Sequence, residues 1–224
     1  MIFTEDFREA ARDYRLLLDK RYPIEASIKL VGDRYRLDKE ERVALFRGVL
    51  PGDLSRANAE RRTAFLPAGA RIAVDGYNVL FTIINYLRGH PLFVSTDGFL
   101  RDAGGAHGRI ADTAQFFEAI EELCANVCLL GTAEAVIYLD APISRSADHA
   151  GALRRALASR GIAGDAILVP DADNFVASSL SDVVCSSDSG VIAKARVPVF
   201  DLARNILEIR YCAKFTDLSV IVAG

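Results

Sequence analysis

From residue 71 onward the sequence predicts a three-layer α/β domain, with a central parallel sheet between helices. Over residues 1–66 it predicts a small all-α domain. Short apolar runs at "RIAV", "AEAVIYL", "DAILV", "DVVC", "VPVF" and "LSVIV" alternate with helix-like stretches, the pattern of a parallel sheet covered on both faces. Ahead of residue 66 the apolar residues recur at helical spacing instead. Between the two textures, residues 67–70 ("PAGA") form a breaker-rich boundary.

The first helix is expected over "EDFREAARDYRLLLDKRY", where Phe7, Ala10, Ala11, Tyr14, Leu17 and Leu18 share one stripe. Pro23 begins a second, "PIEASIKLVGDRY". Asp38 caps a third, "KEERVALFRGV", which Gly48, Pro51 and Gly52 close. The stretch "PGDLSRANAERRTAFLPAGA" reads as a further helix and a linker. Short helices joined by tight turns fit a helix-turn-helix-like unit, and equally a helical cap or dimerisation domain. In the second domain the six apolar runs are the expected strands. "IADTAQFFEAIEELCANVCLL" and "RSADHAGALRRALASRG" are expected helices between them.

With 224 residues, 51% hydrophobic and 25% charged, the chain can bury one substantial core or two modest ones, and disordered and fibrous classes drop out. Met1 leads into "IFTEDFREAARDYR", which lacks a basic start and an apolar signal core. No apolar run reaches membrane-spanning length, so a soluble, cytoplasmic protein is expected. Residues 1–66 carry 14 Lys or Arg against 12 Asp or Glu, and the remainder 13 against 18. The front is mildly basic, an excess that a mixed-charge helical surface also produces. Cys124, Cys128, Cys185 and Cys212 form no C-x-x-C pair, so free thiols are expected rather than zinc or redox chemistry.

Four aspartates stand at or just beyond the ends of the expected strands: Asp75 after "RIAV", Asp140 after "AVIYL", Asp173 after "AILVPDA" and Asp188 after "VVCSS". One such aspartate commonly forms a turn or caps a helix. Four at equivalent places carry a different meaning. Ligands of open parallel sheets bind beyond the carboxyl ends of the strands, where strand order reverses. On adjacent strands the four carboxylates would converge there, and their repulsion would call for a cation. Oxygen ligands without His or Cys favour Mg²⁺ or Mn²⁺, and such a site suits phosphodiester hydrolysis.

These residues resemble a known family. "VDGYNVL" (74–80), "IYLDAP" (137–142), "ADNFVASSL" (172–180) and "VVCSSDSGVI" (183–192) are similar to the successive motifs of the NYN branch of the PIN-like nucleases. The resemblance spans residues 71 to about 202. It implies a parallel sheet between helices, an acidic Mg²⁺ or Mn²⁺ site and cleavage of RNA. It also implies catalytic and metal roles for Asp75, Asp140, Asp173 and Asp188, with Asn78 beside them. Asn174 stands where many relatives carry a second acid, and Ser186-Ser187 replaces the usual Thr-Ser. On this reading Asp75 leaves its strand as a metal ligand and Gly76 permits a close backbone approach. Asn78 opens the next helix with its amide on Asp75 or a metal-bound water, and Tyr77 packs beneath the site. A helical front before such a domain also resembles a prokaryotic family without an assigned activity.

Residues 93–112, "FVSTDGFLRDAGGAHGRIAD", are the other unusual stretch. A glycine-rich loop with arginines could grip a phosphate, with Arg101 and Arg109 on the RNA backbone, Asp102 adding a ligand and His107 shuttling protons. A polar surface loop is the plain alternative. Two further readings stand beside the ribonuclease: a catalytically inactive RNA-binding or complex-forming module, and an aspartyl phosphatase. The last wants an acid two residues after its nucleophile, where this chain has Tyr77. No G-x-G-x-x-G turn or G-x-S-x-G elbow points to a nucleotide cofactor or acyl transfer. The expected partner is RNA, with DNA left open, and the helical front could pair two chains.

Overall fold

A computed structural model describes residues 3–104 and 114–223. Four helices come first: α1 (Glu5–Asp19), α2 (Ile24–Arg34), α3 (Lys39–Gly48) and α4 (Gly52–Arg61). Strands β1 (Arg62–Thr63) and β2 (Arg71–Asp75), helix α5 (Gly76–Leu87), and strands β3 (Leu92–Val94) and β4 (Leu100–Asp102) follow. Next are α6 (Ala114–Leu129), β5 (Glu134–Asp140), α7 (Ser146–Ser159), β6 (Gly164–Val169), α8 (Ala172–Ala177), β7 (Val183–Cys185) and α9 (Ser189–Lys194). The described chain finishes with β8 (Val199–Phe200), α10 (Leu202–Tyr211), β9 (Thr216–Asp217) and α11 (Leu218–Ala223). None of the described helices is long and apolar enough to cross a membrane.

These elements form two compact units. Among the described residues, the first takes in 3–60, 89–104 and 214–223, and the second 61–88 and 114–213. In the first unit, Thr4 caps α1 by accepting from Phe7 N, and Phe7, Ala10, Ala11, Tyr14 and Leu18 are its buried stripe. A capping box starts α3: Asp38 accepts from Glu41 N at 2.8 Å while Glu41 accepts from Asp38 N at 2.9 Å. The stripe of α1 belongs to one core with Val31, Leu45, Phe93, Leu218 and Ile221. A small sheet in the order β4-β3-β9 accompanies the helices.

The run "LSVIV", expected as a strand, is helix α11. Four apolar residues and one serine carry no clear period, and Leu218 and Ile221, three apart, are the pair it buries, while Val220 stays exposed. A second correction concerns Arg101, expected on the phosphate backbone, and Asp102, expected to add a ligand. Both are buried. Arg101 Nη2 donates to Asp97 Oδ2 at 2.7 Å, and its Nη1 donates to Arg47 O at 3.0 Å and to Ser95 Oγ. Asn58 Nδ2 also donates to Asp97 at 3.0 Å. Asp102 pairs with Arg47 at 2.9 Å. The charges expected to hold a ligand are spent inside the unit, where each needs its partner to offset lost hydration. His107 and Arg109, the other members of that expected set, lie outside the described residues.

The second unit is α/β, built on a six-stranded sheet in the order β1-β8-β7-β2-β5-β6, parallel at every pairing. Strand order reverses at β2: the chain builds outward through β5 and β6, then returns to lay β7 on the other side. Helices cover both faces. On one, α5, α6, α7 and α10 pack on one another, over Val74, Ile137, Ala166 and Cys185, all fully buried. On the other, the six-residue α8 packs against β2, β5 and β6. In-register residues of parallel strands share a face, so Asp75, Tyr138 and Ile167 lie on this second side. Its residues Val136, Tyr138 and Ile167 are only half-buried. That difference in cover, written as strict buried and half-buried alternation along β5, leaves this face partly open to water.

Arg101→Ala should leave Asp97, which is 0% exposed, as a buried charge without its guanidinium. The expected cost is about 3–5 kcal/mol of unfolding free energy, read from urea denaturation. A loss below about 1 kcal/mol would show that the pair carries little of the first unit's stability.

Candidate functional site

Each of the four strand-end aspartates is placed by the sheet. Asp75 is the last residue of β2 and pairs in register with Tyr138, two residues before Asp140, which ends β5. Asp173 sits in the first turn of α8, just past β6, and Asp188 precedes α9, just past β7. All lie along the carboxyl edge of the sheet, on β2 and β5 and past β7 and the edge strand β6, around the point where strand order reverses. Gly76 explains how α5 can start directly behind Asp75. A Cβ there would lie 2.6 Å from Leu139 Cδ2 and 2.8 Å from the Tyr138 carbonyl, so only glycine lets the helix begin this close to β5.

Asp75 is buried, and Ser186 Oγ donates to its Oδ2 at 2.8 Å. Burial pushes this carboxyl up to about 7; the Ser186 bond opposes the rise, and the negative charges of Asp173 and Asp188 add to it. Asp173 is raised too, by burial first and then by Asp188, Asp140 and Asp171, with the Lys194 ammonium acting the other way. Asp173 is therefore the acid that links the others electrostatically. The four predicted carboxylates thus share one edge of the sheet, near enough for charge to act between them, with Asp173 acting on Asp75 and acted on by Asp140 and Asp188.

Two of the acids also have local work. Asp188 caps α9, its Oδ1 accepting from Gly190 N at 2.8 Å and Val191 N at 3.1 Å. Asp140 Oδ1 accepts from Ala172 N at 2.9 Å, tying β5 to the start of α8. Asn78 does something other than expected. Its Oδ1 accepts from Ser187 N at 2.9 Å and Ser187 Oγ at 3.0 Å, so its amide anchors the turn after β7. That turn in turn holds Ser186 against Asp75, with Asp188 N donating to Ser186 Oγ at 3.0 Å. Tyr77 is buried, stacked on Phe81 and joined through its hydroxyl to His149 Nδ1 at 2.9 Å, a packing role.

Ser186 and Ser187, noted in the sequence only as a replacement for Thr-Ser, complete the surroundings together with Asp171, His149 and Lys194, which the sequence did not single out. Asp171 caps α8 through Asn174 N. Asn174 Nδ2 donates to Asp171 Oδ2 at 2.5 Å, and Lys194 Nζ donates to Asn174 Oδ1 at 3.1 Å. The available signal was positional: Ser186 follows the strand that neighbours β2, one residue past the partner of Val74.

Among the described residues, no three His, Cys, Asp or Glu side chains are gathered closely enough to enclose one ion. The donor chemistry nevertheless fits a hard divalent cation. The acids are all oxygen donors, and the buried Asp75 carboxylate shares its surroundings with the charges of Asp173 and Asp188, a repulsion that divalent charge relieves.

Fold and site together define a parallel α/β domain with an acidic group at its topological switch point. The chain belongs to the family described as "Domain of unknown function (DUF5616)", whose model matches residues 67–205. Residues 6–62 match the family described as "Protein of unknown function (DUF434)". The "Uncharacterized protein MJ0935" of Methanocaldococcus jannaschii is 27% identical over 203 residues, covering 89% of this chain and 96% of that protein. No solved structure matches the chain.

In the absence of divalent ions, the raised pKa of Asp75 makes stability depend on pH. The folded state holds its proton up to about 7, whereas an unperturbed carboxyl releases it near 3.8. The proton-linked stabilisation is complete below the lower value and is lost as pH rises through the upper one. At about 1.4 kcal/mol per unit, the penalty at alkaline pH is on the order of a few kcal/mol. Asp75→Asn should therefore melt above the wild type at about pH 8, with the gap closing near pH 4. A gap that ignores pH would show that Asp75 is not held protonated by its surroundings.

Proposed function

We propose that this protein is a metal-dependent ribonuclease that hydrolyses RNA phosphodiester bonds at the acidic edge of its sheet. The observation that carries the reading is the buried Asp75 carboxylate, coupled to Asp173 and Asp188 at the switch point. The likeness of its four motifs to the NYN branch of the PIN-like nucleases supports it. Asp75, Asp140, Asp173 and Asp188 would hold Mg²⁺ or Mn²⁺, which when bound supplies an activated water and stabilises the leaving oxygen. The chain's own part is positional. Ser186 fixes the Asp75 carboxylate, Asn78 fixes Ser187 and so the turn carrying Asp188, and Asp140 fixes the start of α8 that carries Asp173. The four cysteines are free thiols, which suits the reducing cytoplasm.

A second reading, an inactive RNA-binding or complex-forming module, is favoured by the capping bonds of Asp188 and by the lack of a three-residue metal group among the described residues. End-labelled single-stranded RNA, incubated with purified protein in Mn²⁺, Mg²⁺ or chelator, separates the two. Metal-dependent products are expected, and they should vanish in Asp75→Asn and Asp173→Asn. Ser186→Ala, which removes only the group orienting Asp75, should slow cleavage by about 10–100-fold. RNA binding without any cleavage in either metal would favour the inactive module.

A further inference from the structure

The face that carries Asp75 does not end at the acids. Tyr138 is the in-register neighbour of Asp75, and the ring of Phe175 lies 6.1 Å from that of Tyr138, tilted by 34°. Phe175 projects from α8 two residues past Asp173 and is 47% exposed, although it rests on another ring. Lys194, at the end of α9, is tied to the start of α8 through Asn174, and its charge acts on Asp173. An open aromatic pair, a cation and an acidic edge are thus built from three neighbouring elements of one unit.

We infer that Phe175 and Tyr138 form a base-stacking platform, that Lys194 contacts the adjoining phosphate, and that the substrate of this site is therefore an unpaired RNA strand. The inference rests on the ribonuclease reading and adds its substrate class. Stacking on a side chain needs a base free of its own helix, since the bases of a duplex are stacked and paired within it. An exposed ring offers such a base a flat partner regardless of sequence, whereas an exposed aliphatic side chain does not. A phosphate beside the acid group needs a local positive charge to approach it, and Lys194 supplies one next to Asp173. The Asp171–Asn174–Lys194 chain of hydrogen bonds holds that ammonium to the helix that carries both Phe175 and Asp173.

The test is fluorescence anisotropy of the full chain in chelator, where a metal-dependent enzyme cannot cleave. The probes are a short fluorescein-labelled single-stranded RNA and the same sequence as a duplex. Wild type should prefer the single strand. Phe175→Ala should weaken that binding by about tenfold with duplex binding unchanged, and Phe175→Trp should restore it. Lys194→Ala should weaken binding and lower the slope of log affinity against log salt by about 0.7, the value for one phosphate contact on a single strand. Circular dichroism melts of each variant check that the fold is kept. If Phe175→Ala and Lys194→Ala bind and cleave the single strand as wild type does, the platform is overturned while the ribonuclease stands. If wild type neither binds nor cleaves either RNA, the ribonuclease reading and the platform fail together.

Discussion

Asp75 loses its water because β2 is central: strands lie on both sides of it and helices cover both faces. Its carboxylate keeps a hydrogen bond from Ser186, whose position depends on the turn after β7. That turn depends on Asn78, which stands on the helix starting directly behind Asp75. The arrangement is a closed circuit through β2, α5 and the β7–α9 turn, and Gly76 sets its scale by allowing α5 to start against β5. The placing of Asp173 and Asp188 beside this carboxylate adds repulsion to burial. A fold that tolerates such a concentration of negative charge is one whose stability and ligand binding draw on the same residues.

The parts legible in the sequence were those with strong local period or strong topology. The stripe of α1, the Asp38 cap of α3 and five of the six strands of the parallel sheet were readable because each carries a repeat or a cap, whereas the two-residue β1 fell in a stretch that reads as helix and linker. The four aspartates were readable because strand ends in a parallel sheet share an edge. What stayed hidden was set by partners far away in sequence. Arg101 and Asp102 look like surface charges until Asp97 and Arg47 are placed beside them. Asn78 and Ser187 are separated by 109 positions, and nothing local in either shows the bond. The strand expected at "LSVIV" failed for another reason: a mostly apolar run of five residues cannot distinguish a buried strand from a turn and a half of helix.

The two faces of the sheet show how cover and chemistry divide. A layer of four packed helices seals one side, and residues there answer only to packing. On the other, α8 is too short to seal the sheet, and the half-buried alternation along β5 records where water still reaches it. The acid group lies at the border between sealed and open surface. Oxygen donors there keep fixed positions while a solute can still approach.

The chain passes between its two units more than once, and this bears on how the protein can be made. The core of the first unit joins Phe7 and Tyr14 of its opening helix to Leu218 and Ile221 near the other end of the described chain. During synthesis the leading helices emerge early yet lack part of their interior until α11 arrives, so the unit that begins first is among the last to be completed. A fragment cut at the boundary near residue 66 would carry β3, β4 and α11 away from the helices they pack on, leaving Phe93 and Leu218 without cover. Neither unit is a separable cassette, and exchange of one for a homologous piece by a single crossover would disrupt both.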